Sequence, residues 1–195
     1  LAPLLRDLLY KPDRNRPETK ALETACAETG KSMPRLLFEC GGITDTHDYH
    51  LGRFLFEFFP QGTDFPSCAA PVDIADLPIA EVRAFSIDDA ATTEIDDAFS
   101  VVMLPDGSMR VGIHIAAPGL GFGPDSELGR IARSRLSTVY MPGRKITMLP
   151  EDIVERFTLA AGRTAPAISL YLDVAADLRI LGHETRVERV PVVAN

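Results

Sequence analysis

The sequence has no tryptophan and three cysteines, Cys26, Cys40 and Cys68. The cysteines are odd in number and widely spaced, with no CxxC pair and no histidine at zinc spacing. That argues against both a disulfide framework and a structural zinc site. Long hydrophobic runs are lacking too. The apolar stretches are short and interrupted, well below the ~20 residues a membrane-spanning helix needs. No basic segment precedes an apolar one near the start, so no signal peptide is expected within these residues. An excess of positive charge is also missing. Lys and Arg total 20 against 28 Asp and Glu, a net charge of −8. A basic nucleic-acid-binding domain carries the opposite sign. What remains is an ordinary globular composition, 46% hydrophobic and 25% charged over 195 residues. It suffices for one large domain or two small ones.

The first 60 residues predict several short helices. Leu4, Leu5, Leu8 and Leu9 form an apolar stripe at helical spacing. Pro17 opens a second helix and Gly30 stops it. Met33, Leu36, Leu37 and Cys40 suggest a third, ended by Gly41-Gly42. Asp48 is the expected cap of a fourth, running through Phe54, Leu55 and Phe58. Residues 1–60 thus read as a small helical module, of helix-turn-helix type. Pro60, Pro66, Pro71 and Pro78 make residues 61–80 a proline-rich linker. Five phenylalanines between Phe54 and Phe65 are expected to pack in a core rather than stack on bases. Beyond Pro78 the period changes. Strands are predicted at Val82–Ser86, Phe99–Leu104, Met109–Ile115, 166–174 and 179–190, with a helix at 125–135. Residues 81–195 therefore form an α+β part.

The segment Asp88 to Ala98 holds five carboxylates, Asp88, Asp89, Glu94, Asp96 and Asp97, and no Lys or Arg. A solvated acidic run is one explanation. Ile87, Ile95 and Ala98 interleave with the acids, however, and strands flank both sides, so the loop is expected to lie against a core. In a strand Glu94 and Asp96 share a face while Asp97 points away. In a helix Glu94 and Asp97 are neighbours. Neither regular form converges all of them, and if they do converge the backbone is irregular and a cation offsets the repulsion. Oxygen-only ligands suit Mg²⁺ or Mn²⁺. An EF-hand fails, because Thr93 and Phe99 stand where that loop needs Gly and Glu.

Between Leu128 and Lys145 the sign reverses. Arg130, Arg133, Arg135, Arg144 and Lys145 occur there without Asp or Glu. The expected roles are a solvated helix face or a groove that tracks phosphates. Tyr140 beside it is a packing residue or a base-stacking one. His114 alternates with apolar residues in Val111–Ile115 and is expected to be structural.

These motifs resemble the RNB family, the exoribonucleases of the RNase II and RNase R type. Asp88-x5-Glu94-Ile95-Asp96-Asp97-Ala98 is similar to the family's acidic signature. Val111–Ala116, Thr138–Gly143 with Met148-Leu149-Pro150, and Arg163–Ser169 resemble the blocks that follow it, in order. The resemblance implies processive hydrolysis of single-stranded RNA from the 3′ end to nucleoside 5′-monophosphates, with Mg²⁺ or Mn²⁺. Asp88, Glu94 and Asp97 would hold metal, and Asp96 would be closest to the chemistry. Tyr140 would clamp the 3′-terminal nucleotide, and Arg130, Arg133, Arg144 and Lys145 would follow the backbone. A monomeric protein of the bacterial cytoplasm, or of an organelle, is implied, with no membrane partner.

Three features depart from the family's pattern. Glu94 stands where Asp is usual. Ala117 stands where the following strand usually ends in Asp. The helical opening replaces paired cold-shock folds. The resemblance also implies that the catalytic domain continues beyond Asn195, with a catalytic arginine and a further RNA-binding domain. Two alternatives are a non-catalytic RNA-binding relative and a partner-binding protein with a solvated acidic loop. Within the chain, the net charge of −8 averages an acidic loop with a basic segment, so its sign decides nothing about RNA.

Overall fold

The computed structural model describes residues 3–68, 74 and 76–195. The chain forms two compact units, Leu1–Asp64 and Phe65–Asn195. No helix among the described residues is long and apolar enough to cross a membrane. Cys26, Cys40 and Cys68 are free thiols.

The first unit holds four helices: α1 (Pro3–Tyr10), α2 (Pro17–Thr29), α3 (Met33–Glu39) and α4 (Thr46–Phe58). Gly30 ends α2 in a left-handed conformation, φ 67°, which glycine adopts without steric cost. The cap of α4 differs from the expected one. Asp45, not Asp48, accepts the first-turn amide, from Asp48 N at 2.7 Å. Asp48 instead adds negative charge within that turn, where the helix dipole favours it. Helix α1 packs on α4 through Tyr10, whose hydroxyl donates to the Tyr49 carbonyl at 3.1 Å. Its ring lies 5.7 Å from that of Phe56. Gly52 allows this approach, because a Cβ there would collide with the Tyr10 hydroxyl. Of the phenylalanines, Phe54 packs with Phe58 and Phe59, while Phe58 stays largely exposed. Nothing in the four helices singles out a helix-turn-helix pair. Pro71 of the expected linker lies outside the described residues.

The second unit is a closed five-stranded barrel in the order β1 (Ala84–Phe85), β2 (Asp97–Met103), β3 (Met109–Ala116), β6 (Thr164–Val174), β7 (Ile180–Ala194). Pairing is antiparallel except between β1 and β7, the parallel pair that closes it. Small and branched residues fill one end, among them Ala84, Ala98, Ala167, Val190 and Val192. Farther along, the interior is polar. His114 is fully buried between the Ser100 and Ser169 hydroxyls, at 2.9 and 2.8 Å. The Tyr171 hydroxyl donates to buried Glu188 at 2.6 Å. Gly112 makes room for this network, because a Cβ there would collide with the Ser100 hydroxyl and the His114 ring. His114 is structural, as its strand position predicts.

A second core joins α5 (Glu127–Arg135) to α6 (Glu151–Phe157) through Leu128, Leu149, Ile153 and Phe157. Ser126 caps α5, accepting from Gly129 N at 3.0 Å. Between these helices lies a two-stranded hairpin, β4 (Val139–Met141) with β5 (Arg144–Ile146). Neither the hairpin nor α6 was expected. Each is short, three residues per strand and seven in the helix, too brief to establish a period.

Candidate active site

Hydrogen bonding dictates the conformation of the acidic loop. Ile95 is buried, its N–H donates to the Thr158 hydroxyl at 2.8 Å, and its carbonyl accepts from Leu159 N at 2.9 Å. The Asp96 carbonyl accepts from Ala116 N at 2.8 Å. The chain is therefore fastened to the barrel at Ile95 and Asp96 but becomes regular strand only at Asp97. At the other end, Asp88 N donates to the Asn195 side chain at 3.0 Å.

This backbone sends the carboxylates in different directions. Glu94 and Asp96 line a cavity of about 360 Å³, as their alternation predicts. Asp97 and Asp88 are exposed and do not line it. Among the described residues, no three His, Cys, Asp or Glu side chains are arranged to hold a metal ion. Carboxylate oxygens are the donor type that Mg²⁺ and Mn²⁺ take. Position Ala117 supplies no acid, and its small side chain is buried ahead of the single turn Pro118–Leu120.

Electrostatics single out Asp96. Burial against the cavity wall raises its pKa, and the negative charges of Glu94, Asp97 and Asp88 raise it further, with Lys145 opposing. Asp96 is exposed as a whole residue, so the effect belongs to the carboxylate edge that faces the cavity.

Glu94 is better compensated. Its carboxylate accepts from the Thr138 hydroxyl at 3.0 Å and from Lys145 Nζ at 3.4 Å. Lys145 therefore does not stand unopposed, contrary to its reading from sequence: a residue 51 positions away in the chain neutralises it. Arg130 donates to the Asp125 carbonyl at 2.9 Å. Arg135 donates to the Thr147 carbonyl at 2.9 Å and lies 3.7 Å over the Phe65 ring. Arg133 and Arg144 are exposed.

The remaining cavity wall is mixed. Tyr140 stands at the rim, 68% exposed. Burial and the charges of Glu94 and Asp96 raise its phenol pKa, so it is neutral at pH 7. Met148, Leu149, Val154 and Phe157 form an apolar floor, and Thr158 joins them. Leu136 is the residue sequence reasoning missed. It lies in the left-handed region, φ 67°, at the end of α5, yet is 79% exposed at the cavity. A branched side chain in that conformation costs about 1–2 kcal/mol, and such strain collects at functional sites. No sequence signal marks it, because glycine is what that backbone favours.

The RNB domain family matches residues 76–189. The chain belongs to the RNB-domain family. An exoribonuclease 2 of Vibrio cholerae is 30% identical over 128 residues, which is 65% of this chain and 19% of that protein. This chain thus spans about a fifth of that relative's length. Three solved structures share the fold. The Dss1 exoribonuclease of Candida glabrata, an active-site mutant, is 19% identical with a TM-score of 0.72, covering 98% of this chain and 30% of that one. Yeast Ssd1, a pseudonuclease, is 20% identical with a TM-score of 0.65, over 77% of this chain and 21% of that one. Mycoplasma genitalium RNase R in complex with ribose-methylated single-stranded RNA is 19% identical with a TM-score of 0.56, over 62% and 19%.

Proposed function

We propose that this RNB chain carries the acidic loop and nucleotide rim of a hydrolytic exoribonuclease that shortens single-stranded RNA from its 3′ end. The observation that carries this reading is the meeting of Asp96 and Tyr140 at one cavity. Tyr140 offers its ring face to the terminal base, a contact worth about 1–3 kcal/mol per base. The apolar floor beneath excludes water from the remainder of that nucleotide. Arg130, Arg133 and Arg144 supply positive charge for the strand behind it.

In this reaction a water oxygen bonds to the phosphorus of the last phosphodiester, and the bond from phosphorus to the preceding 3′-oxygen breaks. The water's proton passes to an Oδ of Asp96, which lines the cavity. The departing 3′-oxygen is protonated as it leaves, and a nucleoside 5′-monophosphate is released. Asp88 and Asp97 would hold Mg²⁺. That ion would supply charge stabilisation for the phosphoryl oxygens. RNA with a single-stranded 3′ tail, incubated with the natural full-length protein and Mg²⁺, is expected to yield monophosphates and a ladder shortened from the 3′ end. Internal cleavage, or 3′-phosphate products, would contradict the assignment.

A second reading is a non-catalytic RNB relative that binds RNA. It is favoured by the engagement of Glu94 with Thr138 and Lys145, and yeast Ssd1, a pseudonuclease, shares the fold. It predicts salt-sensitive RNA binding with no monophosphate release in Mg²⁺ or Mn²⁺.

A further inference from the structure

We propose that Glu94 positions Tyr140 rather than holding a cation: its carboxylate is the common acceptor to which one face of the β4–β5 hairpin is tied. The proposal rests on the exoribonuclease reading for the meaning of Tyr140, but its geometry stands apart from it.

In an antiparallel pair, alternate residues share a face and directly opposed residues are neighbours. Tyr140 and Lys145 are directly opposed. Thr138 precedes Tyr140 by two residues and so continues the same face. Two of the three side chains bond to Glu94, and the third shares its cavity. Thr138 donates its hydroxyl proton at 3.0 Å, Lys145 reaches the other carboxylate oxygen at 3.4 Å, and Tyr140, between them on this face, lines the same cavity as Glu94. Two further bonds brace the arrangement. The Thr138 hydroxyl accepts from Met148 N at 3.1 Å, and Lys145 also donates to the Thr93 hydroxyl at 3.1 Å. The Glu94 side chain is 14% exposed and that of Lys145 31%, so the carboxylate is largely sheltered while the ammonium keeps contact with water.

Side-chain length explains why a glutamate does this. Aspartate would end about 1.5 Å short, one carbon–carbon bond. The contacts at 3.0 and 3.4 Å would then pass beyond hydrogen-bond range. A cation at Oε2 would compete with the Lys145 ammonium for the same oxygen. The advantage of Glu94 here is preorganisation: Tyr140 is held at the cavity rim before a nucleotide arrives.

The test uses the full-length protein and the variants Glu94→Asp, Glu94→Gln and Lys145→Met. Three quantities are read: amide hydrogen exchange over residues 139–146 without metal, KM and kcat on single-stranded RNA, and the Mg²⁺ concentration for half-maximal rate. In Glu94→Asp the hairpin amides should exchange about tenfold faster, from the loss of charge-assisted bonds. KM should rise about tenfold with kcat within about twofold, and the Mg²⁺ requirement should not move. Glu94→Gln keeps the length and one acceptor, so most of the protection should return. Lys145→Met should loosen the hairpin even if a Glu94 variant fails to fold. The proposal is overturned if Glu94→Gln raises the Mg²⁺ requirement about tenfold or more. It is equally overturned if hairpin exchange is unchanged in Glu94→Asp and Lys145→Met. If the wild-type protein releases no monophosphate, the exoribonuclease reading fails on its own. Exchange and RNA affinity then still decide the placement of Glu94: faster exchange with weaker RNA binding supports it, and no change rejects it.

Discussion

The barrel interior and the acidic loop both concentrate polar side chains, but they treat them in opposite ways. Inside the barrel the buried polar groups are matched: His114 lies between Ser100 and Ser169, and Glu188 accepts from Tyr171. Burial lowers the pKa of His114, so the ring is neutral and needs no counter-charge. In the loop, Asp96 meets the like charges of Glu94, Asp97 and Asp88, which raise its pKa. Matched polar groups hold a fold together. A carboxylate surrounded by its own sign at a cavity costs stability, and it is retained where chemistry needs the charge.

Variants that break the match inside the barrel should have the larger effect on stability. Tyr171→Phe removes the donor at 2.6 Å from buried Glu188 and strands a carboxylate. Urea unfolding should show a loss of about 3 kcal/mol, and a change below about 0.5 kcal/mol would place Glu188 in contact with water. At the site, Tyr140→Ala should leave unfolding nearly unchanged while RNA affinity weakens by about 2 kcal/mol, read by fluorescence anisotropy. Leu136→Gly relieves the left-handed backbone at φ 67°. It should stabilise the protein by about 1 kcal/mol, while the apolar edge lost at the cavity weakens RNA binding. A loss of stability there would mean that the Leu136 side chain packs more than its exposure suggests.

The smallest effect separates the two regions by sign. The His114 pKa is depressed in the folded state, so its contribution is present above the unfolded value of about 6.5 and is lost as pH falls through the folded value. The Asp96 pKa is raised, so ionisation costs stability as pH rises above the unfolded value of about 4. Thermal melts against pH should show His114→Gln flattening the acid-side loss. Asp96→Asn should gain more at neutral pH than at pH 3. Parallel shifts in both variants at every pH would remove the electrostatic distinction.

Much of this was legible from residue order. Helices α1 to α3, α5, the strand pair β2–β3 and the structural role of His114 followed from spacing and caps. So did the shared face of Glu94 and Asp96, because alternation constrains direction even in irregular chain. The linking of Lys145 to Glu94 was not legible, because it joins residues across a fold and not along a period. The strain at Leu136 was hidden for another reason: it contradicts the local preference that sequence reasoning relies on.

The most direct test compares wild-type and Asp96→Asn full-length protein on single-stranded RNA in Mg²⁺, with monophosphate release measured in a single turnover. The account predicts that Asp96→Asn binds RNA as tightly as wild type, remains at least as stable at neutral pH, and releases monophosphates slower by about a thousandfold. Release within a few-fold of wild type would contradict the role of Asp96 and, with it, the functional meaning of the acidic loop.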